Sequence, residues 1–459
     1  MKKLVFVSII ISALLCSCDE SFLDQIKPLV SVEDMIYTDA KKAEMALLGL
    51  YGSLKGTDCN FIGGRTYIAF DALGDDIINL DPNGVTLYNT YIMQVLPNSQ
   101  ENVAAWYYAY LAINRVNVFL EGIETYNTAS VIGDDLAKRY VAEAKFIRAL
   151  SYYYLVNLYS EPYKLNRAAK AIPLRLTAVK VSGHNHQACV TNAKIYEAIL
   201  NDLSDAEIAA LPGSAATKTR ATKAAANMLK MRVYMAMENW VAAISAGESI
   251  TGYELVGDVT AQWKTPYYTN ESIFSLSMSS NDRPNTQRGG WEYYNNGRLL
   301  VVATGSGVMS RPNYSLTADK RAALIKDRTL LKFPSSDRLN WVPVFRFAET
   351  KLNLAECYAR SSREGDAKTA LNDVRSRSIA PASDPLDVST LSGDALLEAI
   401  TLEKRLEFLG EGMRGLEILR KGETFVKESA TVAPGNAFYN WPIPEDEQVN
   451  NNLWNQLEP

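Results

Sequence analysis

The sequence predicts a mostly α-helical fold in which paired helices form a scaffold that carries a loop-rich, irregular half. Three observations lead there. Apolar residues recur at helical spacing through most of the chain, whereas the strict alternation of a half-buried strand is scarce. Two stretches, 222–250 and 345–379, each hold two such stripes separated by a turn. Two others, near 57–100 and 253–340, show no sustained period and are rich in Asn, Gly, Pro and Ser.

At the start of the chain, Lys2 and Lys3 precede an apolar run from Leu4 to Leu15. That run is too short to cross a bilayer core, which needs roughly 20 apolar residues, and it reads as an export signal over 1–17. Leu15-Cys16-Ser17-Cys18 resembles the bacterial lipobox, with a large aliphatic residue three before Cys18 and a small one directly before it. Cys18 is therefore the expected lipidation site, and Cys16 fits worse because Leu15 would fill the small position. Acyl chains bury methylenes at about 0.8 kcal/mol each, so two or more hold a protein at a membrane stably. Residues 18–459 are expected to fold in water, and their length allows two or three domains or one elongated unit, of which the single unit is the expectation.

Beyond the leader, Val141 to Tyr159 carries a stripe of Phe146, Leu150, Tyr153 and Asn157, flanked by Ile147, Tyr154 and Leu158, and Glu161-Pro162 ends that helix. From Thr222 to Ile250, Met228, Met231 and Met235 form one stripe before Glu238-Asn239, and Trp240, Ala243, Ile244 and Ala246 form the next. From Phe345 to Ile379, Phe345, Ala348, Leu352, Ala355 and Tyr358 precede a turn at Ser362 to Gly365, and Ala367, Leu371 and Val374 follow it. These two units, with small residues at close-packing positions, resemble tetratricopeptide repeats and are expected to stack, because each stripe is too wide for an isolated hairpin.

Long irregular stretches in a compact chain are usually functional. Trp291, Tyr293 and Tyr294 sit in a Gly- and Asn-rich loop, Gly289 to Gly297, where flat rings can stack on sugar faces. Tyr67, Tyr88 and Tyr91 stand around the first irregular stretch, with Arg65, Asp75 and Asn79 as the nearest polar candidates. For any one ring the alternative is a core role closing the loop.

Composition and motifs exclude several classes. The chain has 47 basic and 52 acidic side chains, and loss of Lys2 and Lys3 with the leader takes the balance from −5 to −7. An acidic surface does not suit nucleic acid. His184 and His186 are the two histidines, in one loop, too few for a zinc site. Gly305-Ser306-Gly307 is not a nucleophile elbow, and phosphate-binding and dinucleotide loops are missing. Asp75, Asp76, Asp81 and Asn83 lack calcium-loop spacing and read as turn formers. No catalytic residue, metal or cofactor is expected, and Cys59, Cys189 and Cys357 allow one disulfide at most.

Several motifs together resemble the SusD/RagB family of outer-membrane lipoproteins of Bacteroidetes. They run from Ser31-Val32-Glu33-Asp34 and Gly49-Leu50-Tyr51, through Trp106, Tyr110 and Asn114-Arg115-Val116-Asn117, to Ala142-Glu143-Ala144-Lys145-Phe146-Ile147-Arg148-Ala149-Leu150. The last third adds Arg346-Phe347-Ala348-Glu349, Leu371-Asn372-Asp373-Val374-Arg375-Ser376-Arg377, Glu403-Lys404-Arg405-Leu406-Glu407-Phe408, Glu411-Gly412-Met413-Arg414 and Trp441-Pro442-Ile443-Pro444. Asp19-Glu20 resembles the surface-export signal of such lipoproteins. The resemblance implies a non-catalytic, surface-exposed protein that captures oligosaccharide for a SusC-like, TonB-dependent transporter, with peptide capture as the alternative and a glycan-processing enzyme less favoured. Arg405, Glu407, Glu411 and Arg414 are expected to fix helix packing through Arg–carboxylate forks. Two departures stand out: Glu417 occupies a position where the family usually has Asp, and the chain is short for the family.

Overall fold

The computed structural model describes residues 32–181, 183, 186–303, 305, 307–310 and 318–458. The leader, Cys18, His184 and Ser306 lie outside them. The helices start where a side chain can close the first turn: Asp39, Thr191, Thr222 and Asn239 each accept a hydrogen bond from the N–H three residues on, a cap worth about 1 kcal/mol. The longer helices are α1 (Ala40–Lys55), α2 (Arg65–Leu73), α3 (Gln100–Thr125), α4 (Asp134–Tyr159) and α5 (Asn192–Asp202). There follow α6 (Lys223–Ala236), α7 (Trp240–Glu248), α8 (Phe347–Arg360), α9 (Glu364–Ser378), α10 (Gly393–Glu407) and α11 (Met413–Lys421).

α3 and α4 pack side by side with α1 against both, and Phe146, Ile147, Leu150, Tyr153, Tyr154 and Leu158 of α4 are all buried. α4 stops at Tyr159, and extended Ser160 leads into Glu161-Pro162. The two expected hairpins form as α6–α7 and α8–α9, and they stack through α7 and α8. Gly247 permits that contact, since a Cβ there would lie 2.8 Å from Leu354 Cδ2 and 3.0 Å from Met231 Cε. Met231, Met235, Ala243, Ile244, Leu352, Ala355, Leu371 and Val374 fill the seam.

Strand is sparse. β1 (Ile77–Asn79), β2 (Lys170–Pro173), β3 (Cys189–Thr191), β4 (Ser272–Leu276), β5 (Leu299–Val301), β6 (Ile325–Lys326), β7 (Thr329–Leu330) and β8 (Val342–Arg346) are all short. An antiparallel sheet in the order β1-β5-β7-β6 belongs to the loop-rich half, and β4 pairs antiparallel with β8 immediately before α8. Every residue of β4 and β8 is buried, so neither strand shows alternation in the sequence. The stretch near 57–100 departs from the loop expected of it. It contains α2, whose nine residues are all buried and which therefore carries no detectable apolar stripe. Cys59, Cys189 and Cys357 are buried free thiols.

One network of buried charges joins these parts. Glu407 at the end of α10 takes Arg321 Nη1 at 3.2 Å, Arg346 Nη1 at 3.1 Å and Arg377 Nη2 at 2.6 Å. Glu411 is forked by Arg346 Nε and Nη2, both at 2.8 Å, and accepts from Lys332 at 2.6 Å. Glu403 binds Arg321 at 2.7 Å and Arg375 at 2.8 Å, and Glu271 of the β4 approach takes Arg346 and Arg377. Burial alone would raise the Glu407 carboxyl, but Arg377, Arg346 and Arg321 hold it well below the usual carboxylate range. Glu417 pairs with Lys404 at 3.2 Å and with Arg420 at 2.8 Å from its own helix.

Removing one member of such a network leaves desolvated partner charges, which costs about 3–5 kcal/mol. Glu407→Gln is therefore expected to lower unfolding free energy in guanidinium titrations by that amount. Asp205→Asn, which breaks an ion pair whose acidic side chain is 97% exposed, is expected to change it by less than about 0.5 kcal/mol.

Candidate functional site

The nine residues expected to contact ligand divide into three groups by where they lie and what they bind. Tyr67, Asp75, Tyr91 and Tyr294 are tied into the framework. Tyr294 is fully buried, donates its hydroxyl to Asp71, and stacks on Phe333 at 5.5 Å between centroids. Tyr67 donates to the Pro343 carbonyl at 3.3 Å. Asp75 is forked by Arg414, at 2.5 Å from Nε and 3.0 Å from Nη2, while Arg405 forks its neighbour Asp76. Tyr91 lies with its ring under Lys427 Nζ at 4.6 Å. Each was expected at the ligand. Each instead spends its hydrogen-bonding group or its ring on another segment of the chain.

Arg65, Asn79 and Tyr293 converge on the turn Asp81–Thr86. Asn79 Nδ2 donates to the Thr86 carbonyl at 2.8 Å, and Arg65 Nη2 donates to the Val85 carbonyl at 2.7 Å. The Tyr293 hydroxyl donates to the Gln287 carbonyl at 3.2 Å and lies 3.5 Å from the Val85 oxygen. Asn83 Oδ1 accepts from Val85 N–H, and the Thr86 hydroxyl donates to the carbonyls of Asp81 and Asn83, so the turn is also closed on itself. Arg65, Asn79 and Tyr293 are at most 1% exposed and lie under the surface, which corrects the expectation that they touch ligand directly.

Trp291 and Tyr88 are half-buried and keep part of a ring toward solvent. Trp291 opens a single π-helical turn, Trp291–Asn295, that sends Tyr293 and Tyr294 inward. Gly290 seats this turn, because a Cβ there would meet the Phe333 ring at 2.5 Å. Tyr88 follows the clasped turn directly, on the short helix Tyr88–Tyr91. The sequence reading missed a second aromatic surface: half-buried Tyr268 and Trp341 stack at 5.1 Å and 24°. Both sit among turn residues at the second irregular stretch, the same signal that singled out Trp291. It also missed Arg288 and Arg298, which flank Tyr293 in sequence and whose charges act on its phenol. Among the described residues no group of three or more His, Cys, Asp or Glu is arranged to hold a metal, and no helix is long and apolar enough to cross a membrane.

Comparison with known proteins places this architecture. A family model described as the SusD family matches residues 334–456, and one described as starch-binding, associating with the outer membrane, matches 67–235. The crystal structure of a SusD superfamily protein from Bacteroides fragilis is 49% identical and covers 92% of this chain and 100% of that one, with a TM-score of 0.88. A SusD-like protein of Formosa agariphila is 24% identical over 91% of this chain and 89% of its own length. Surface glycan-binding protein A from Bacteroides thetaiotaomicron, solved in complex with laminarihexaose, is 18% identical and covers 90% of this chain and 98% of that one, with a TM-score of 0.69, which shows a common fold.

Asp71 lies at the centre of this region and gives a measurable pH signature. Burial pushes its carboxyl up to about 7, against hydrogen bonds from the Tyr294 hydroxyl and the Gly412 N–H. Gly412 can approach only because it has no Cβ: its φ is +69°, and a Cβ would sit 2.6 Å from the Tyr67 carbonyl. A carboxyl raised from an ordinary value near 4 stabilises the fold fully below pH ~4, and that contribution is lost as pH rises toward 7. The stability of the wild type relative to Asp71→Asn is thus expected to fall by a few kcal/mol between pH 4 and 7 in denaturant titrations. A difference that stays flat over this range contradicts the assignment.

Proposed function

Since this chain belongs to the SusD superfamily, we propose that it is a non-catalytic surface lipoprotein that captures oligosaccharide and passes it to a SusC-like, TonB-dependent outer-membrane transporter. The observation that carries the sugar reading is the set of half-buried rings, Tyr88, Trp291 and the Tyr268–Trp341 stack, all in the loop-rich half. A partly open ring offers a flat apolar face to the C–H face of a pyranose, while Asn and Arg side chains nearby bond the hydroxyls. The starch-binding description of one matching family model and the laminarihexaose held by a relative of the same fold support the same reading.

Acylated Cys18 supplies the anchor in this scheme. Tethering the body beside a transporter raises the effective concentration of captured ligand there, so modest affinity suffices. The helical hairpins face the transporter and the loop-rich half holds the sugar.

Three measurements test this. Binding to a glycan panel is expected, with affinity about tenfold weaker or worse in Trp291→Ala and in Trp341→Ala; unchanged affinity in both, and in Tyr88→Ala, removes the site. Capture of peptides with no glycan bound removes the sugar reading. Cys18→Ala is expected to move the protein out of the outer-membrane fraction, and a wild-type protein purified from that fraction is expected to bring a β-barrel transporter with it.

A further inference from the structure

The buried arginines follow one rule with one exception. Arg148, Arg232, Arg321, Arg346, Arg375, Arg405 and Arg420 each have a carboxylate within 4.0 Å. Among the described residues Arg65 is the buried arginine that has none, and it is 1% exposed. Its Nη2 reaches the Val85 carbonyl, while Nε and Nη1 have no hydrogen-bond partner. A guanidinium left desolvated with two idle donors costs several kcal/mol, so such a group calls for a compensating charge.

Two further arginines stand beside it. Arg288 is half-buried, donates to the Gln287 carbonyl at 3.3 Å, the same oxygen the Tyr293 hydroxyl uses, and has no carboxylate within 4.0 Å among the described residues. Arg298 is half-buried and holds Asp81 of the clasped turn at 3.3 Å, and its Nε is also without a partner. Arg65 and Arg288 each share a carbonyl with the Tyr293 hydroxyl, Arg65 that of Val85 and Arg288 that of Gln287, and the charge of Arg298 also acts on that phenol. The acids of this region offset part of this charge: Asp81 takes Arg298, and buried Glu101, which accepts from Thr90 and has its Oε2 without a partner, faces Arg65 from beyond ion-pair distance. Glu292 is taken by Arg338 at 3.0 Å, so among the described residues Arg288 keeps its charge unpaired. Arg65 also opens α2, whose first turn carries no acidic residue, so the positive end of that helix adds to the local field.

We propose that Arg288 and Arg298, over Tyr293 and with Arg65 beneath, form an anion subsite that takes the carboxylate or sulfate of an acidic sugar. This rests on the glycan-binding reading and narrows it to oligosaccharides bearing uronic acid or sulfate groups. Trp291, half-buried, belongs to the same π-helical turn as Tyr293. Arg288 and Arg298 meet the oxyanion from the solvent side, and planar guanidinium groups suit its paired oxygens. Arg65 acts from below through its charge, without touching the sugar. On a chain whose overall balance is acidic, such a local positive site favours the approach of an acidic ligand.

The test is isothermal titration calorimetry with oligogalacturonate, carboxyl-reduced oligogalacturonate, a heparin hexasaccharide and sodium sulfate, using wild type, Arg288→Gln and Arg298→Gln. The expected result is that one acidic oligosaccharide binds at least about tenfold more tightly than the neutral one. That preference should collapse in either variant while the melting temperature is unchanged, and it should shrink as salt rises. The uronate and heparin arms decide between carboxylate and sulfate. Equal binding of acidic and neutral sugars overturns the subsite and leaves the glycan reading intact. Sodium sulfate bound as tightly as any sugar overturns the sugar as its source, and binding of none of the four overturns the proposal. Acidic peptides bound where no glycan is bound overturn the glycan reading itself.

Discussion

Everything in this structure hangs on the pairing of Glu403, Glu407 and Glu411 with arginines drawn from distant segments. Arg321 and Lys332 come from the loop-rich half, Arg346 from the junction of β8 and α8, and Arg375 and Arg377 from α9. Glu403 and Glu407 lie one turn apart on the same face of α10, and Glu411 follows in the turn just beyond its end. Hydrophobic contact alone would let the hairpin stack and the irregular half slide or tilt, because apolar packing has no direction. Forked guanidinium–carboxylate pairs have a fixed geometry, and desolvation makes every mispaired arrangement expensive.

That fixed frame is what allows a loop-rich half with so little regular structure. Its sheet has strands of two or three residues, too short to be stable alone. It is secured at three places: Arg405 and Arg414 on Asp76 and Asp75 beside β1, the Tyr294–Asp71–Gly412 link beneath the π-helical turn, and the arginine and tyrosine clasp on the turn Asp81–Thr86. Irregular backbone held at its roots in this way can vary at its tips without disturbing the helices. The rings left partly open, Tyr88 and Trp291, each sit directly next to one of these fixed points.

How far the sequence disclosed this depended on whether the information was local. The hairpins 223–248 and 347–378 were legible because an amphipathic helix writes its partner face into its own spacing, and α4 was legible down to its end at Tyr159. α2 and β4 were not, since an element buried on every side has no stripe to display. The site failed for a different reason. Tyr293 and Tyr294 are flanked by Gly and Asn and look exposed, but the π-helical turn sends both inward, Tyr294 against Phe333 and Tyr293 against the Val85 and Gln287 carbonyls. Asp75 looks like a free carboxylate until Arg414 arrives from 339 residues away. The opposite holds for Arg405, Glu407, Glu411 and Arg414, whose crowding at helix ends already suggested forks, although the partners could not be named.

The charge pairing also separates framework from function on physical grounds. A buried arginine whose carboxylate is supplied by the same chain has its charge spent on holding the fold, and a ligand could recruit it only by breaking a desolvated pair, unlike the half-exposed contact of Arg298 with Asp81. Such residues therefore make poor binding groups however close to a cleft they lie, which is why Arg405 and Arg414 belong to the frame although they border the loop-rich half. An arginine without a carboxylate is the reverse case: its field is unbalanced, its donors are idle, and the cost is carried by the rest of the molecule. Natural folds tolerate that cost where it is offset in the bound state. The contrast between Arg65 and the seven paired buried arginines thus marks a place where stability has been given up, and it does so without reference to which residues happen to be exposed.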